Sequence, residues 1–218
     1  MPEYKVLYVD EDKKENHQFE RSFVDDFSVD TVNFDGITFE SLISRLEDRD
    51  FDYLVVDFHL NEKSNCGFDG DQVVKDFVSK FPHFPVMLLT NHDERAIESV
   101  AELDVERIRS KKEYTNEEFK EAFTKRIKAK IDEYRKQNSD AQERIQALID
   151  KKKAGQELTA EEEAEVIQLD TFLDETLDGQ SRDIPDDMKL MTNTQRLETI
   201  LKKTDDLIEK LKEYEAIP

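Results

Sequence analysis

The sequence predicts an α/β domain built on a five-stranded parallel sheet, followed by an all-α helical extension. In the first half, short apolar runs alternate with amphipathic stretches in five β–α units. The runs at 5–9, 53–56 and 86–89 are apolar almost throughout, which is typical of parallel strands covered on both faces. Later apolar residues keep a helical spacing. We therefore expect a domain at 1–135 and a helical extension at 136–218.

The elements of the first domain follow from apolar spacing and from capping residues. Strands are predicted at Lys5–Val9, 29–34, Tyr53–Val56, 86–89 and 106–110, of which the second and fifth have the weaker apolar pattern. The intervening helices are predicted at 12–27, along the face Phe39, Leu42, Ile43 and Leu46, from Val73 to Phe81 before Pro82, at 94–103 after the cap Asp93, and from the capping box of Thr115 and Glu118, with Phe119, Phe123 and Ile127 on its face.

The helix that begins near Thr115 has two interpretations. Its apolar residues keep a spacing of three to four as far as Leu148, which favours one continuous helix to about Lys153. Alternatively, the helix breaks at Asn138 and Ser139, with Ser139 as the cap of a new helix.

The rest of the extension is predicted as a helical hairpin over 139–178, a loop over 179–193 and a terminal helix over 194–214. Thr159 and Glu162 predict a capping box where the second helix of the hairpin begins. The apolar faces of these helices suit packing within the chain, or binding to a second copy of the chain or to a helical protein partner.

Composition argues against several classes of function. The net charge is −21, and such a field repels phosphate backbones and anionic lipids. Residues 113–218 carry 18 basic residues against 27 acidic ones, which argues against DNA binding as an output. No apolar stretch approaches the roughly 20 residues of a membrane span, and the single cysteine, Cys66, excludes an internal disulfide. We expect a soluble cytoplasmic protein that binds neither nucleic acid nor membrane.

Polar side chains follow four of the predicted strands at the point where each strand ends. They are Asp10 and Glu11 after the first strand, Asp57 after the third, Thr90 after the fourth and Lys111 after the fifth. Because the carboxyl ends of parallel strands meet at one edge of a sheet, we expect these side chains to converge there.

Such a group of side chains suits one kind of chemistry. Clustered carboxylates repel one another and favour a cation, and few carboxylates with water suit Mg²⁺. A lysine and a hydroxyl beside them can neutralise and hydrogen-bond a phosphoryl group. A carboxylate can itself be the nucleophile and form an acyl phosphate. The residues therefore predict a phosphoryl-aspartate site.

The chain from about residue 3 to 135 resembles the receiver domain of bacterial response regulators. The motifs that carry the resemblance are KVLYVDED at the first strand, DYLVVDFHL at the third, GFDG before the third helix, PVMLLT at the fourth strand and SK at the end of the fifth. The resemblance implies a doubly wound, flavodoxin-like sheet with strand order 2-1-3-4-5.

The resemblance also implies a role for each site residue. Asp57 would be the phospho-acceptor, Thr90 the switch hydroxyl and Lys111 the lysine that contacts the phosphoryl group, with Lys112 as the alternative lysine. Mg²⁺ would be the cofactor, and its ligands would be Asp10, Glu11, Asp57 and the backbone carbonyl of His59.

The sequence departs from the family pattern at several places. Residues 61–68 (NEKSNCGF) include an insertion, and Asn61 stands where proline is common. Asn91 follows the switch hydroxyl, where the family favours a small residue. Ile108 replaces an aromatic residue that often swings with that hydroxyl, and Lys112 replaces a proline.

The resemblance implies a signalling protein rather than a dedicated enzyme. A partner histidine kinase or phosphotransfer protein would phosphorylate Asp57, and the helical extension would change its partner or its self-association. Two alternatives stay open. The chain could be a phosphoryl sink or relay without its own output, or a degenerate receiver that acts as an interaction scaffold.

Overall fold

The computed structural model describes residues 3–90 and 107–177, and its sheet confirms the predicted fold class. Five strands pair in parallel in the order β2-β1-β3-β4-β5. The strands are β1 (Lys5–Val9), β2 (Ser28–Thr31), β3 (Tyr53–Asp57), β4 (Val86–Thr90) and β5 (Ile108–Ser110).

Helices connect these strands and continue beyond them. The helices of the described residues are α1 (Lys13–Phe23), α2 (Phe39–Glu47), α3 (Asn61–Ser64), α4 (Gly70–Lys80), α5 (Lys112–Thr115), α6 (Glu117–Lys153) and α7 (Ala160–Leu177). The chain divides into two compact units, Met1–Asp140 and Ala141–Pro218. The functional boundary after residue 135 stays a prediction.

Both faces of the sheet are buried, as the nearly continuous apolar strands predict. Successive strand residues point to opposite faces. One face, with Leu7, Leu54 and Leu88, packs in a core with apolar residues of α2 and α4. The other face, with Tyr8 and Val55, packs with apolar residues of α1 and α6. The two cores leave the carboxyl edge of the sheet available to polar side chains.

The start of α6 differs from the prediction. Asn116, and not Thr115, caps this helix, because the amide of Glu118 donates to Asn116 Oδ1 at 3.0 Å. Thr115 instead donates its hydroxyl to the carbonyl of Lys111 at 3.1 Å. Phe119, predicted on the apolar face, is 49% exposed.

The continuous interpretation of the long helix is confirmed, since α6 runs unbroken through 138–139. The predicted break there is wrong because a single asparagine–serine pair costs little in a helix of this length. Other boundaries shift slightly: β2 ends at Thr31 and α1 ends at Phe23. The short helix α3, inside the predicted insertion, was not predicted.

The second unit has its own apolar core. Side chains of α6 and α7, among them Ile145, Leu148 and Leu173, form it. The predicted capping box begins α7: the amide of Glu162 donates to Thr159 Oγ1 at 3.2 Å, and the amide of Thr159 donates to Glu162 Oε2 at 2.9 Å. The predicted helices at 94–103 and 194–214 and the loop at 179–193 lie outside the described residues. So does residue 178, the last residue of the predicted hairpin.

Among residues 3–90 and 107–177, no helix is both long enough and apolar enough to cross a membrane.

Candidate phosphoryl-acceptor site

The acidic residues predicted for the site meet at the carboxyl edge of the sheet. Asp57 ends β3, and Asp10 follows Val9, which pairs with Val56 in the parallel ladder. This register places the two aspartates side by side. One carboxylate oxygen from each of Asp10, Glu11 and Asp57 lies within 4.8 Å of the others.

Lys111 neutralises part of this charge. Its ammonium lies 2.8 Å from Asp10 Oδ2 and 2.8 Å from Asp57 Oδ1, and the residue is only 5% exposed. Its amide donates to the carbonyl of Thr90 at 2.9 Å, which fixes the end of β5 against β4. Lys112, the alternative lysine, is exposed in α5. The structure therefore brings Lys111, and not Lys112, to the carboxylates.

Thr90 and His59 are the remaining predicted site residues. Thr90 is the fully buried last residue of β4 and pairs with Ser110, one step beyond the pair of Asp57 and Leu89. The amide of His59 donates to Asp57 Oδ2 at 3.1 Å, so the loop after β3 orients the carboxylate. Asn91 lies outside the described residues.

Burial sets the electrostatics of the site. Burial raises the pKa of Asp57, and the nearby Asp10 adds to this rise while Lys111 opposes it. For Lys111, burial acts to lower the pKa, but the Asp57 and Asp10 carboxylates outweigh it and the pKa is raised. Burial, together with the neighbouring aspartates, raises the pKa of Glu11 to about 7. Among the residues that the structure describes, the Lys111 ammonium is the one that contacts these carboxylates, so three carboxyl groups share one positive charge.

The donor set fits a hard divalent cation. Glu11 Oε2 is buried and has no hydrogen-bond partner among the described residues, although a buried carboxylate oxygen is costly without one. A cation would satisfy this oxygen and reduce the repulsion among Asp10, Glu11 and Asp57. Carboxylate oxygens with room for water are the ligands that suit Mg²⁺.

Three groups that hold Asp10 were missed in the sequence. Tyr8 donates its hydroxyl to Asp10 Oδ2 at 2.7 Å, and the amide of Asp12 donates to Asp10 Oδ1 at 2.8 Å. Asn16 Nδ2 donates to the carbonyl of Asp10 at 3.0 Å. In the sequence Tyr8 looked like one more apolar strand residue. The only signal for this contact was its position two residues before Asp10, because residues two apart in a strand point to the same face.

Gly70 was quoted as part of a motif, but its physical role appears only in the structure. Its amide donates to the carbonyl of Phe58 at 2.8 Å. A Cβ at this position would lie 1.9 Å from the carbonyl oxygen of Asp57. The first turn of α4 therefore packs directly against the backbone of Asp57, which only glycine permits.

The insertion places a second lysine near the site. The short helix α3 carries Lys63, whose ammonium pairs with Asp12 Oδ2 at 2.5 Å. Asp12 also caps α1 by accepting from the amide of Lys14 at 2.9 Å. The amide of Asn61 donates to Asp69 Oδ1 at 3.0 Å, which ties the start of the insertion to the cap of α4.

Lys63→Ala is expected to tighten Mg²⁺ binding about two- to threefold at low ionic strength. Lys63 interacts electrostatically with Glu11 and Asp10 as well as with Asp12, so its charge repels a cation at the acidic cluster. The effect is modest because the side chain is 61% exposed and water screens it. Isothermal titration calorimetry with Mg²⁺ measures the change. Lys80→Ala, which removes a lysine paired with Glu47 and Asp76, is the control and should leave the affinity unchanged.

The fold and site define a doubly wound α/β protein with carboxylates and a buried lysine at the carboxyl edge of its sheet. No protein-family model matches the chain, and no curated protein matches it.

Receiver domains are among the solved structures to which the chain is similar. The receiver domain of nitrogen regulatory protein C is 21% identical, with 62% of this chain and 99% of that chain covered and a TM-score of 0.46. A signal receiver domain of an HD domain-containing protein from Pseudomonas fluorescens is 16% identical, with 61% and 93% covered and a TM-score of 0.46. A response regulator receiver domain from Clostridium thermocellum is 17% identical, with 61% and 97% covered and a TM-score of 0.45.

Proposed function

We propose that this chain is a response-regulator-like signalling protein whose Asp57 accepts a phosphoryl group from a partner histidine kinase or phosphotransfer protein. The observation that carries the proposal is the pair of 2.8 Å contacts from one buried ammonium, that of Lys111, to Asp57 and Asp10. Buried charges of this kind are costly to fold and are typical of functional sites.

In the proposed reaction, one carboxylate oxygen of Asp57 attacks the phosphorus of a phosphohistidine. An oxygen–phosphorus bond forms, the phosphorus–nitrogen bond breaks, and the imidazole leaves. Lys111 would stay beside the carboxylate and the incoming phosphoryl oxygens, while the amide of His59 keeps the carboxylate oriented. Thr90 would donate its hydroxyl to the phosphoryl group.

Mg²⁺, held by Asp10, Glu11, Asp57 and the backbone carbonyl of His59, would supply charge neutralisation for the phosphoryl group. The unsatisfied oxygen of Glu11 supports this assignment. The proposed output is a change in the partner or in the self-association of the helical extension at 136–218, which follows the receiver-like domain.

Asp57→Asn is expected to abolish phosphorylation. The protein is incubated with acetyl phosphate and Mg²⁺ and then analysed by intact mass. We expect the wild type to gain one phosphoryl group and the variant to gain none, because an amide is not a competent nucleophile. Asp35→Asn, which alters an exposed carboxylate paired with Lys13, is the control and should label like the wild type. A wild type that neither gains mass nor binds Mg²⁺ would favour the interaction scaffold.

A phosphoryl sink or relay is the second candidate, and Ile108 favours it. This residue stands where receivers often carry an aromatic that moves with the switch hydroxyl, and it is buried in the core cluster that also includes residues of α2 and α4. An aliphatic side chain packed there has no reason to change rotamer on phosphorylation. Comparing the oligomeric state of the free and phosphorylated protein by light scattering separates the candidates, since only a switch with a self-association output changes it.

A further inference from the structure

The two carboxylate oxygens of Asp10 have different surroundings. The Tyr8 hydroxyl donates to Oδ2 at 2.7 Å, and the Lys111 ammonium lies 2.8 Å from the same atom. Oδ1 accepts from the amide of Asp12 at 2.8 Å. Each carboxylate oxygen can accept two hydrogen bonds. Donors from the described residues therefore fill Oδ2, and Oδ1 keeps one lone pair with which Asp10 can bind a cation.

The two donors to Oδ2 differ in their freedom to move. Tyr8 is fully buried in β1, and its ring stacks on Phe19 with the ring centroids 4.2 Å apart. Its hydroxyl is therefore fixed, because core side chains are close-packed and the ring cannot turn away without disturbing its neighbours. The Lys111 ammonium, in contrast, is carried by a flexible four-carbon stem. One oxygen of Asp10 is thus shared by a fixed donor and by a donor that can move.

Phosphorylation of Asp57, as proposed above, would act on the movable donor. Lys111 already lies 2.8 Å from Asp57 Oδ1, and a phosphoryl group on Asp57 adds about one further negative charge beside it. A cation bound through Oδ1 would at the same time reduce the negative charge that Asp10 presents to the ammonium. Both effects draw Lys111 from Asp10 towards the phosphoryl oxygens.

The departure of Lys111 would destabilise Asp10 if no second donor were present. Asp10 is only 1% exposed, so water has little access to its Oδ2. A buried acceptor that loses its donor is destabilising, and more so when the acceptor is charged. The Tyr8 hydroxyl is the donor that remains on this oxygen, because the buried ring holds it in place.

We propose that Tyr8 is a positioning residue that keeps Asp10 hydrogen-bonded while Lys111 transfers from Asp10 to the phosphoryl group on Asp57. This inference rests on the proposed function and adds a residue to it. In the free protein Lys111 and Tyr8 both satisfy Oδ2, so the loss of one of them is tolerated there. In the phosphorylated protein Tyr8 alone satisfies this oxygen. The Tyr8 hydroxyl therefore stabilises the phosphorylated form more than the free form.

The test compares the binding of beryllium fluoride, a mimic of the phosphoryl group on aspartate, with the binding of Mg²⁺. Fluorine NMR of the full chain measures the first at saturating Mg²⁺, and isothermal titration calorimetry measures the second. We expect Tyr8→Phe to weaken beryllium fluoride binding about tenfold, since it removes one hydrogen bond to a charged group. Its Mg²⁺ affinity should stay within about twofold of the wild type, because Lys111 still contacts Oδ2 and the cation uses Oδ1.

Tyr53→Phe is the matched control, because it removes the hydroxyl of a buried tyrosine at the other end of β3 from Asp57. Both of its affinities should equal those of the wild type. Unchanged beryllium fluoride binding in Tyr8→Phe overturns the inference. So does an equal loss of affinity for beryllium fluoride and for Mg²⁺, which would mean that Tyr8 only shapes the metal site. A wild type that neither binds beryllium fluoride nor gains a phosphoryl group from acetyl phosphate overturns the proposed function, and this inference with it.

Discussion

Gly70→Ala is expected to lower the free energy of unfolding by about 3 kcal/mol, at the upper end of the usual range for overpacking. The added Cβ would lie 1.9 Å from the carbonyl oxygen of Asp57 and 3.0 Å from Val56 Cγ1. Both belong to β3, in the centre of the sheet, so neither can move without disturbing the strand pairing. Urea denaturation followed by circular dichroism measures the change.

The predicted loss of stability in Gly70→Ala is opposite in sign to the usual effect of this substitution in a helix. Within a helix, glycine to alanine ordinarily stabilises a protein by about 0.5–1 kcal/mol. Gly36→Ala is the matched control. Gly36 has a φ of +75°, and no atom lies within 4 Å of an added Cβ. The only cost of this substitution is the backbone strain of alanine at a positive φ, which lowers the free energy of unfolding by about 1–2 kcal/mol. A Gly70→Ala protein as stable as the wild type would show that α4 can withdraw from Asp57 at no cost.

Gly70→Ala should also reduce phosphoryl acceptance. The first turn of α4 and the last residue of β3 share the space that the new methyl group would take, so the Asp57 backbone must shift. A displacement of about 1 Å at a reacting group is enough to slow a reaction on the order of 100-fold. The rate of acetyl phosphate labelling, measured under conditions where the variant is folded, separates this loss from the loss of stability.

Lys111→Met is expected to lower the free energy of unfolding by about 3–5 kcal/mol at neutral pH, in the absence of Mg²⁺. Methionine fills much of the same space but leaves Asp10 and Asp57 buried without the ammonium that now lies 2.8 Å from each. The exposed neighbour provides the control, and Lys112→Met should stay within about 0.5 kcal/mol of the wild type.

A double-mutant cycle tests the cause. Adding Asp57→Asn to Lys111→Met removes one of the two unpaired carboxylates, so the double variant should regain stability relative to Lys111→Met alone. Mg²⁺ should also stabilise Lys111→Met more than it stabilises the wild type, because a bound cation replaces the missing charge. Equal stability of Lys111→Met and the wild type would show that the carboxylates are already neutral, and it would weaken the proposed nucleophile.

The sequence predicted the frame of the molecule because that frame depends on local patterns. Apolar runs such as Tyr53–Val56 mark buried parallel strands whatever surrounds them. The capping box of Thr159 and Glu162 formed as predicted because its two hydrogen bonds join residues three positions apart. Asp10, Glu11 and Asp57 could be named in advance since each follows a strand end, and the order of parallel strands brings such ends together.

The prediction failed where two local signals competed. Thr115 and Asn116 can both cap a helix, and the sequence pattern alone favoured Thr115 because Glu118 follows at capping-box spacing. In the structure the hydroxyl of Thr115 is used by the carbonyl of Lys111, so the cap moves to Asn116. The hydrogen bond from Thr115 to Lys111 lies in the short helix α5, next to the buried lysine of the site. Helix propensity and capping preferences do not predict such a bond.

By itself, then, the sequence determined the strands, the parallel sheet and the acidic edge, since hydrophobic period and strand ends are properties of short segments. Only the tertiary structure decided that Lys111 rather than Lys112 faces Asp10, a contact across 101 positions of the chain. It also decided that Tyr8 holds Asp10 and that Gly70 must lack a side chain. The physical reason is that such contacts depend on the separation of atoms brought together by packing, which no local pattern of residues records.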